Sequence, residues 1–479
     1  MERILAVRKV SSDAQRAMWV FAIAALISGA LFAIIMPPLA APDEYSHFVR
    51  AWHVSKGHFG AVRQGAEVGS YMPHGLHLLL DSLVMNPVTH LPAIRRALHT
   101  PPALEPEVFI SNPAHSWSSP VSYVPQAIGI ALGRAVNAPY LVDFYLGRFV
   151  NLVASVVVLM LAIRLFPSYR WFAVLIALTP MATHVRASLS ADALTTGISF
   201  LFIALVTRAA FTDENVTPGR WFAITLLAGL LCLTKLIYVP IGAMALAIPR
   251  SRFPSAASAL RSRIALCLVV LCCAMISSRI ATYYWAPYRA DVTTPDQQMK
   301  FILSHPTAFL HVLWMEHVVR AKWYLVSMVG DLGSGPFCVP LPKFVVILYF
   351  AVILLLLIGD TTRRVQVTPL QRLYLTFLCA GATFAVSLAT YLIWCRVGAD
   401  RIDGLQGRYY IPFVPAAAFI VHRSADGFLP RWRLAITVAA VALATCVAAD
   451  LSVMKWYERG WHDWRSMAAI QSPKAAGKY

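Results

Sequence analysis

Four ionisable residues stand apart at the edges of long apolar stretches: Asp43, Asp192, Lys235 and Arg408. Two carboxylates and two cations at one level are the groups that transfer from a lipid phosphate requires. A carboxylate can take the proton of an attacking hydroxyl, and cations stabilise the charge that builds on a departing phosphate. Asp43 lies in Pro42-Asp43-Glu44-Tyr45-Ser46-His47. Glu44 adjoins it, and His47 falls four residues on, on the same helical face. Adjacent acids where a helix leaves a membrane are costly to desolvate unless used or paired. Plainer readings stand beside these. Asp43 after Pro42 suits an N-cap, with Glu44 favouring the helix dipole. Ser190 or Asp192 suits a cap for the helix that follows. Lys235 interrupts the apolar run 221–249, where an ammonium must reach water or meet an anion. Gln406-Gly407-Arg408-Tyr409-Tyr410-Ile411-Pro412 offers a guanidinium for phosphate. It serves equally as an interfacial anchor with two tyrosines of an aromatic belt.

The elements that carry these residues are expected to be membrane helices. Of 479 residues, 58% are hydrophobic and only 13% charged, with mean hydropathy +0.62. A soluble domain carries about 25% charged residues. Several runs reach the roughly 20 apolar residues that a spanning helix needs. Alternating segments of the β-barrel kind are absent, so the fold class expected is all-α and polytopic. The net charge of +18 sits in short loops between apolar runs. It therefore reads as a topology signal, and no nucleic-acid partner is expected. Walker, Rossmann and HExxH motifs are missing, which argues against an ATP-driven pump or a metalloprotease of that motif. His305, His311 and His317 lack zinc-ligand spacing. Six of the eight cysteines lie inside apolar runs; Cys338 and Cys395 lie in loops, where a bridge between them is open.

Lys and Arg orient the spans. Arg3, Arg8, Lys9 and Arg16 place the N-terminus inside. The run 18–36 has no small-residue cleavage site and reads as a retained first helix. Further spans are expected at about 141–163, 171–188, 193–209, two short helices across 221–249, 264–282, 341–359, 373–394, 408–422 and 434–452. That gives eleven spans in one domain over 1–452, with external loops at about 37–140 and 283–340 and an external tail over 453–479. The first loop is long and rich in His, Pro and Ser. Within it, 43–56 reads as an interfacial amphipathic helix. Val121–Val136 reads as a helix at the external interface, because a span there would turn every later Arg pair outward. With this topology Asp43, Asp192, Lys235 and Arg408 share the external face.

At these positions the chain resembles the bacterial membrane family called domain of unknown function 2142. The matching residues are Pro42, Asp43, Glu44, His47, Phe48, Ala51 and Gly57. After them, in order, come Ser119–Gln126, Gly147-Arg148-Phe149, Ser190-Ala-Asp-Ala193, Pro295-Asp-Gln-Gln298, Ser304-His-Pro306, Gly330-Asp-Leu-Gly333 and Gln406-Gly-Arg-Tyr409. The family usually has an aromatic after that second glycine, where this chain has Ser334. The family is in turn similar to the GT-C class of glycosyltransferases, which use a polyprenyl-phosphate sugar donor and an acid in the first external loop. The resemblance implies Asp43 as base with Glu44 beside it, and Asp192 as the second-loop acid. His47, Gln406 and Tyr409 are expected at the substrate, with Lys235 and Arg408 on the donor phosphate. Some GT-C members hold a divalent metal on the two loop acids, here Asp43 and Asp192, and others hold none. The expectation is a glycosyltransferase in the bacterial inner membrane, with its site facing the periplasm. It would move a sugar from a polyprenyl-phosphate donor to an envelope glycan or lipid. The alternative is a transporter or flippase of a lipid-linked sugar, for which charges along a mid-membrane path are expected.

Overall fold

In a computed structural model, the described residues are 2–85, 91–103, 105–289, 292, 294–333, 338–429 and 432–458. Six helices among them are long and apolar enough to cross a membrane: Ser12–Ile35, Tyr140–Leu165, Asp192–Phe211, Ala256–Tyr284, Pro369–Trp394 and Arg433–Tyr457. Pro218–Thr234, Leu236–Ala247 and Lys343–Gly359 are apolar but shorter. The expected runs recur in place, but they do not amount to eleven spanning helices. The run 171–188 is two short helices, Arg170–Ala177 and Pro180–Arg186. Thr179 accepts a hydrogen bond from the Ala182 backbone and Pro180 opens the second helix, so a new N-terminus starts mid-run. The run 408–422 is likewise broken into the 3-10 turns Gly407–Phe413 and Phe419–Val421 around Val414–Ala418, with Pro412 and Pro415 denying backbone donors. Lys235 stands in extended conformation between Pro218–Thr234 and the short turns that follow, as the sequence predicts. All eight cysteines are free, Cys338 and Cys395 included.

The body is helical, and the first loop adds a small sheet that the sequence reading missed. Its strands Val62–Gln64, Glu67–Pro73 and Glu107–Ser111 are antiparallel in that order. The helix Glu44–Ser55 buries nine of its twelve residues, so it is enclosed by the loop and not half in water as an interfacial helix would be. Val124–Ala135 packs one face on Tyr140–Leu165 and presents Val124, Ile128, Leu132 and Val136 outward, an apolar stripe at four-residue spacing. At about 18 Å it is too short to span. Ala256–Tyr284 buries only Ala259 and Leu266, which leaves an apolar surface suited to lipid.

Loops assigned to one side meet at one end of the bundle. Asp360, after Lys343–Gly359, binds Arg433 at 2.7 Å and accepts from the Trp171 backbone. Arg433 also faces Asp13 at 3.5 Å. Glu214 pairs with Arg208 and Arg220. These are all segments that the Lys/Arg distribution places inside. Asp43, Asp192, Lys235 and Arg408 gather at the other end. The tail is described only as far as 458.

Candidate functional site

Position 43 is set by a buried ion pair. Arg148, two turns into Tyr140–Leu165, and Glu44 both have fully buried side chains. The guanidinium uses all five of its N–H groups. Nε and Nη2 donate to Glu44 at 2.8 and 2.6 Å, and the remaining three reach the carbonyls of Ala33, Met36 and Pro37. Those carbonyls lie at the end of the first helix, where no intrahelical donor serves them. Glu44 also accepts from the backbones of Leu39 and Leu189. Its oxygens are thus committed to holding helix end, loop and second loop together. Glu44 therefore stands as part of the framework beside Asp43.

Asp43 takes the opposite course. Its φ of +59° is left-handed, a conformation that costs about 1 kcal/mol outside glycine. It occupies the cap position, yet its side chain makes no cap hydrogen bond. The carboxylate is 43% exposed and faces Arg408, with Oδ2 at 3.3 Å from Nη2. Below it, His47 Nδ1 lies 2.8 Å from the Tyr123 hydroxyl and the His47 ring stacks on His115 at 4.1 Å. Burial, then the neighbouring His115, hold His47 well below the usual histidine range, and burial holds His115 at about 4. Both rings are neutral near pH 7. His115 was not singled out from the sequence, because it is one histidine in a loop that holds several.

Asp192 is held by the loop before it. Asn151 donates to the carbonyls of Ser188 and Ser190, Gln126 to those of Leu189 and Ser190. The Ser190 hydroxyl accepts from the Asp192 backbone, but Ala191 stands at the cap position of Asp192–Phe211 with no side-chain cap hydrogen bond, so neither Ser190 nor Asp192 is the cap. The Asp192 carboxylate is free to pair with Lys235 and to face Arg408 Nε at 3.6 Å. Lys235 in turn sits over the Tyr409 ring at 4.8 Å, with the Arg408 guanidinium at 5.2 Å from the same ring. The Ser122 hydroxyl donates to the Thr234 carbonyl and so ties the first loop to Lys235. Gly407 lets Arg408 in: a side chain there would meet the backbone of 324–328, with Met328 N at 2.5 Å. Tyr238 fixes the Tyr409 carbonyl at 3.0 Å. Gln406 is half-buried and its carbonyl accepts from the Tyr409 backbone.

Six of the eight residues singled out therefore converge: Asp43, His47, Asp192, Lys235, Arg408 and Tyr409. Glu44 and Gln406 lie beside them in the framework. The two arginines differ in kind. Arg148 is saturated. Arg408 is buried to 5% side-chain exposure, its carboxylate contacts are long, and its Nε has no hydrogen-bond partner. A good guanidinium–carboxylate pair is bidentate at about 2.7–2.9 Å. A cavity opens beside Arg408 and Asp192, walled by Ala182, Val185, Arg186, Ala193, Thr196 and Ile411. The metal pair implied by the resemblance does not fit, because Lys235 and Arg408 already supply the cations on Asp192.

No curated protein and no solved structure matches the chain. One family model does, described as "Predicted membrane protein (DUF2142)", over residues 26–417. That match covers most of the sequence, and the chain belongs to the DUF2142 family of membrane proteins.

Proposed function

We propose that this protein is a membrane glycosyltransferase. It takes a sugar from a polyprenyl-phosphate donor and passes it to a glycan or lipid of the bacterial envelope, in the inner membrane with the chamber facing the periplasm. The observation that carries the reading is Arg408: a buried guanidinium, under-satisfied, between two carboxylates and beside a second cation. The phosphodiester of the donor supplies the oxygens that Arg408 Nε lacks. Its arrival draws Nη2 away from Asp43 and frees that carboxylate. Asp43 then accepts the proton of the acceptor hydroxyl as the oxygen bonds to the anomeric carbon. The bond from that carbon to the phosphate oxygen breaks, and the polyprenyl phosphate leaves with the electron pair against Arg408 and Lys235. Asp192 holds both cations in place. Apolar helix faces on either side, such as that of Ala256–Tyr284, suit the lipid tail.

The test is Asp43→Asn in reconstituted full-length protein, given a polyprenyl-phosphate sugar and envelope extract. Loss of the base costs about 10²–10⁴-fold in transfer, with unchanged thermal stability. Wild-type turnover in that variant removes Asp43 as the base.

A further inference from the structure

We infer a divalent transition-metal site, of the kind that takes nitrogen and oxygen donors, on Asp43, His47 and His115. The site is distinct from the two-carboxylate pair that the resemblance implies. It stands on its own ligands and does not rest on the transfer reading.

Three observations support it. One donor atom from each residue lies within 4.8 Å of the others. Ligand atoms of a tetrahedral site with bonds of about 2.1 Å lie roughly 3.4 Å apart. Closure thus needs shifts of about an ångström, within reach of one exposed carboxylate and two χ angles. Second, each imidazole has one nitrogen engaged by a hydroxyl, His47 Nδ1 by Tyr123 at 2.8 Å and His115 Nδ1 by Ser118 at 3.3 Å. With the hydroxyls accepting from Nδ1–H, each Nε2 keeps its lone pair, the arrangement in which histidine binds metal. Third, His115 Nε2 is buried with no hydrogen-bond partner, an arrangement that costs free energy unless something occupies it. Asp43 reaches the site only because its left-handed backbone turns it away from the helix cap. His47 sits on a buried helix and His115 on the loop hydrogen-bonded back to it, Asn112 donating to the Ser46 carbonyl. The ligands thus join two segments that are already fixed against each other.

The experiment uses full-length protein in lipid nanodiscs, stripped with chelator and loaded with Co²⁺ or Zn²⁺. Metal per chain is read by mass spectrometry, and Co²⁺ geometry by its visible absorption. The free cysteines are a competing source of metal, so every comparison is with wild type and with His311→Ala, an exposed histidine away from the site. One metal per chain is expected, with a tetrahedral Co²⁺ spectrum of nitrogen–oxygen type. His115→Gln and His47→Gln should lose it, and Tyr123→Phe should bind about 10–100-fold more weakly. Thermal melting separates loss of ligand from loss of fold. Absence of a metal that depends on these residues, or equal binding by folded His115→Gln and wild type, overturns the site.

Discussion

Replacing Glu44 by Gln separates support from chemistry at the two adjacent acids. The change keeps size and one carbonyl acceptor but removes the only carboxylate that faces Arg148 among the described residues. Arg148 keeps its three backbone carbonyls and loses its counter-charge at 0% exposure. Breaking one side of a buried pair costs about 3–5 kcal/mol. At about 2.1 cal/mol/K per residue that corresponds to roughly 3–5 °C in Tm if the whole chain melts together, and more if only part does. Arg148→Met should cost at least as much, because the carbonyls of Ala33 and Met36 lose their side-chain donor as well. The two residues are in direct contact, so the double variant should cost well less than the sum of the singles. The assay is thermal unfolding in nanodiscs, with transfer measured on the fraction that remains folded. A Glu44→Gln protein that melts with wild type, yet fails in transfer as Asp43→Asn does, would refute the structural assignment and return Glu44 to the chemistry.

Other expectations follow from the same contacts. Arg408→Gln or Lys235→Gln should weaken polyprenyl-phosphate binding at least tenfold and flatten its salt dependence, measured by titration in nanodiscs, since each removes a charge facing the anion. Gly407→Ala drives a methyl into the backbone of 324–328, costing about 1–3 kcal/mol by melting and displacing Arg408, so affinity should fall with stability. Asn151→Ala frees the carbonyl of Ser188 and leaves that of Ser190 to Gln126, with the four charges in place. It should cost about 1–3 kcal/mol by melting, and slower transfer is expected if that loop positions Asp192.

Much of this was legible in the residues. Apolar run length located several helices to within a few positions, as for 141–163 against Tyr140–Leu165, though 264–282 starts eight residues inside Ala256–Tyr284. The Lys/Arg bias grouped the loops correctly, because Asp13, Asp360 and Arg433 do meet at one end and the four site residues at the other. Hydropathy could not distinguish a straight span from a broken one. The breaks at Thr179-Pro180 and at Pro412 and Pro415 were written in cap and proline chemistry that apolar averages pass over. Glu44 and Arg148 are 104 residues apart, and no local pattern pairs them. The separation of Asp43 from Glu44 into exposed and buried roles depends on one left-handed φ, a tertiary outcome of the loop. The short strands were hidden in a segment whose His, Pro and Ser content reads as loop.

The most direct test is a cryo-EM structure of the protein in nanodiscs with polyprenyl phosphate. The phosphate should lie within hydrogen-bond reach of Arg408 Nε and Lys235 Nζ, with Asp43 released from Arg408 and the prenyl chain running out along the apolar helix faces. A phosphate bound at the opposite end, near Asp360 and Arg433, or an Arg408 still closed on both carboxylates with lipid present, would contradict the account.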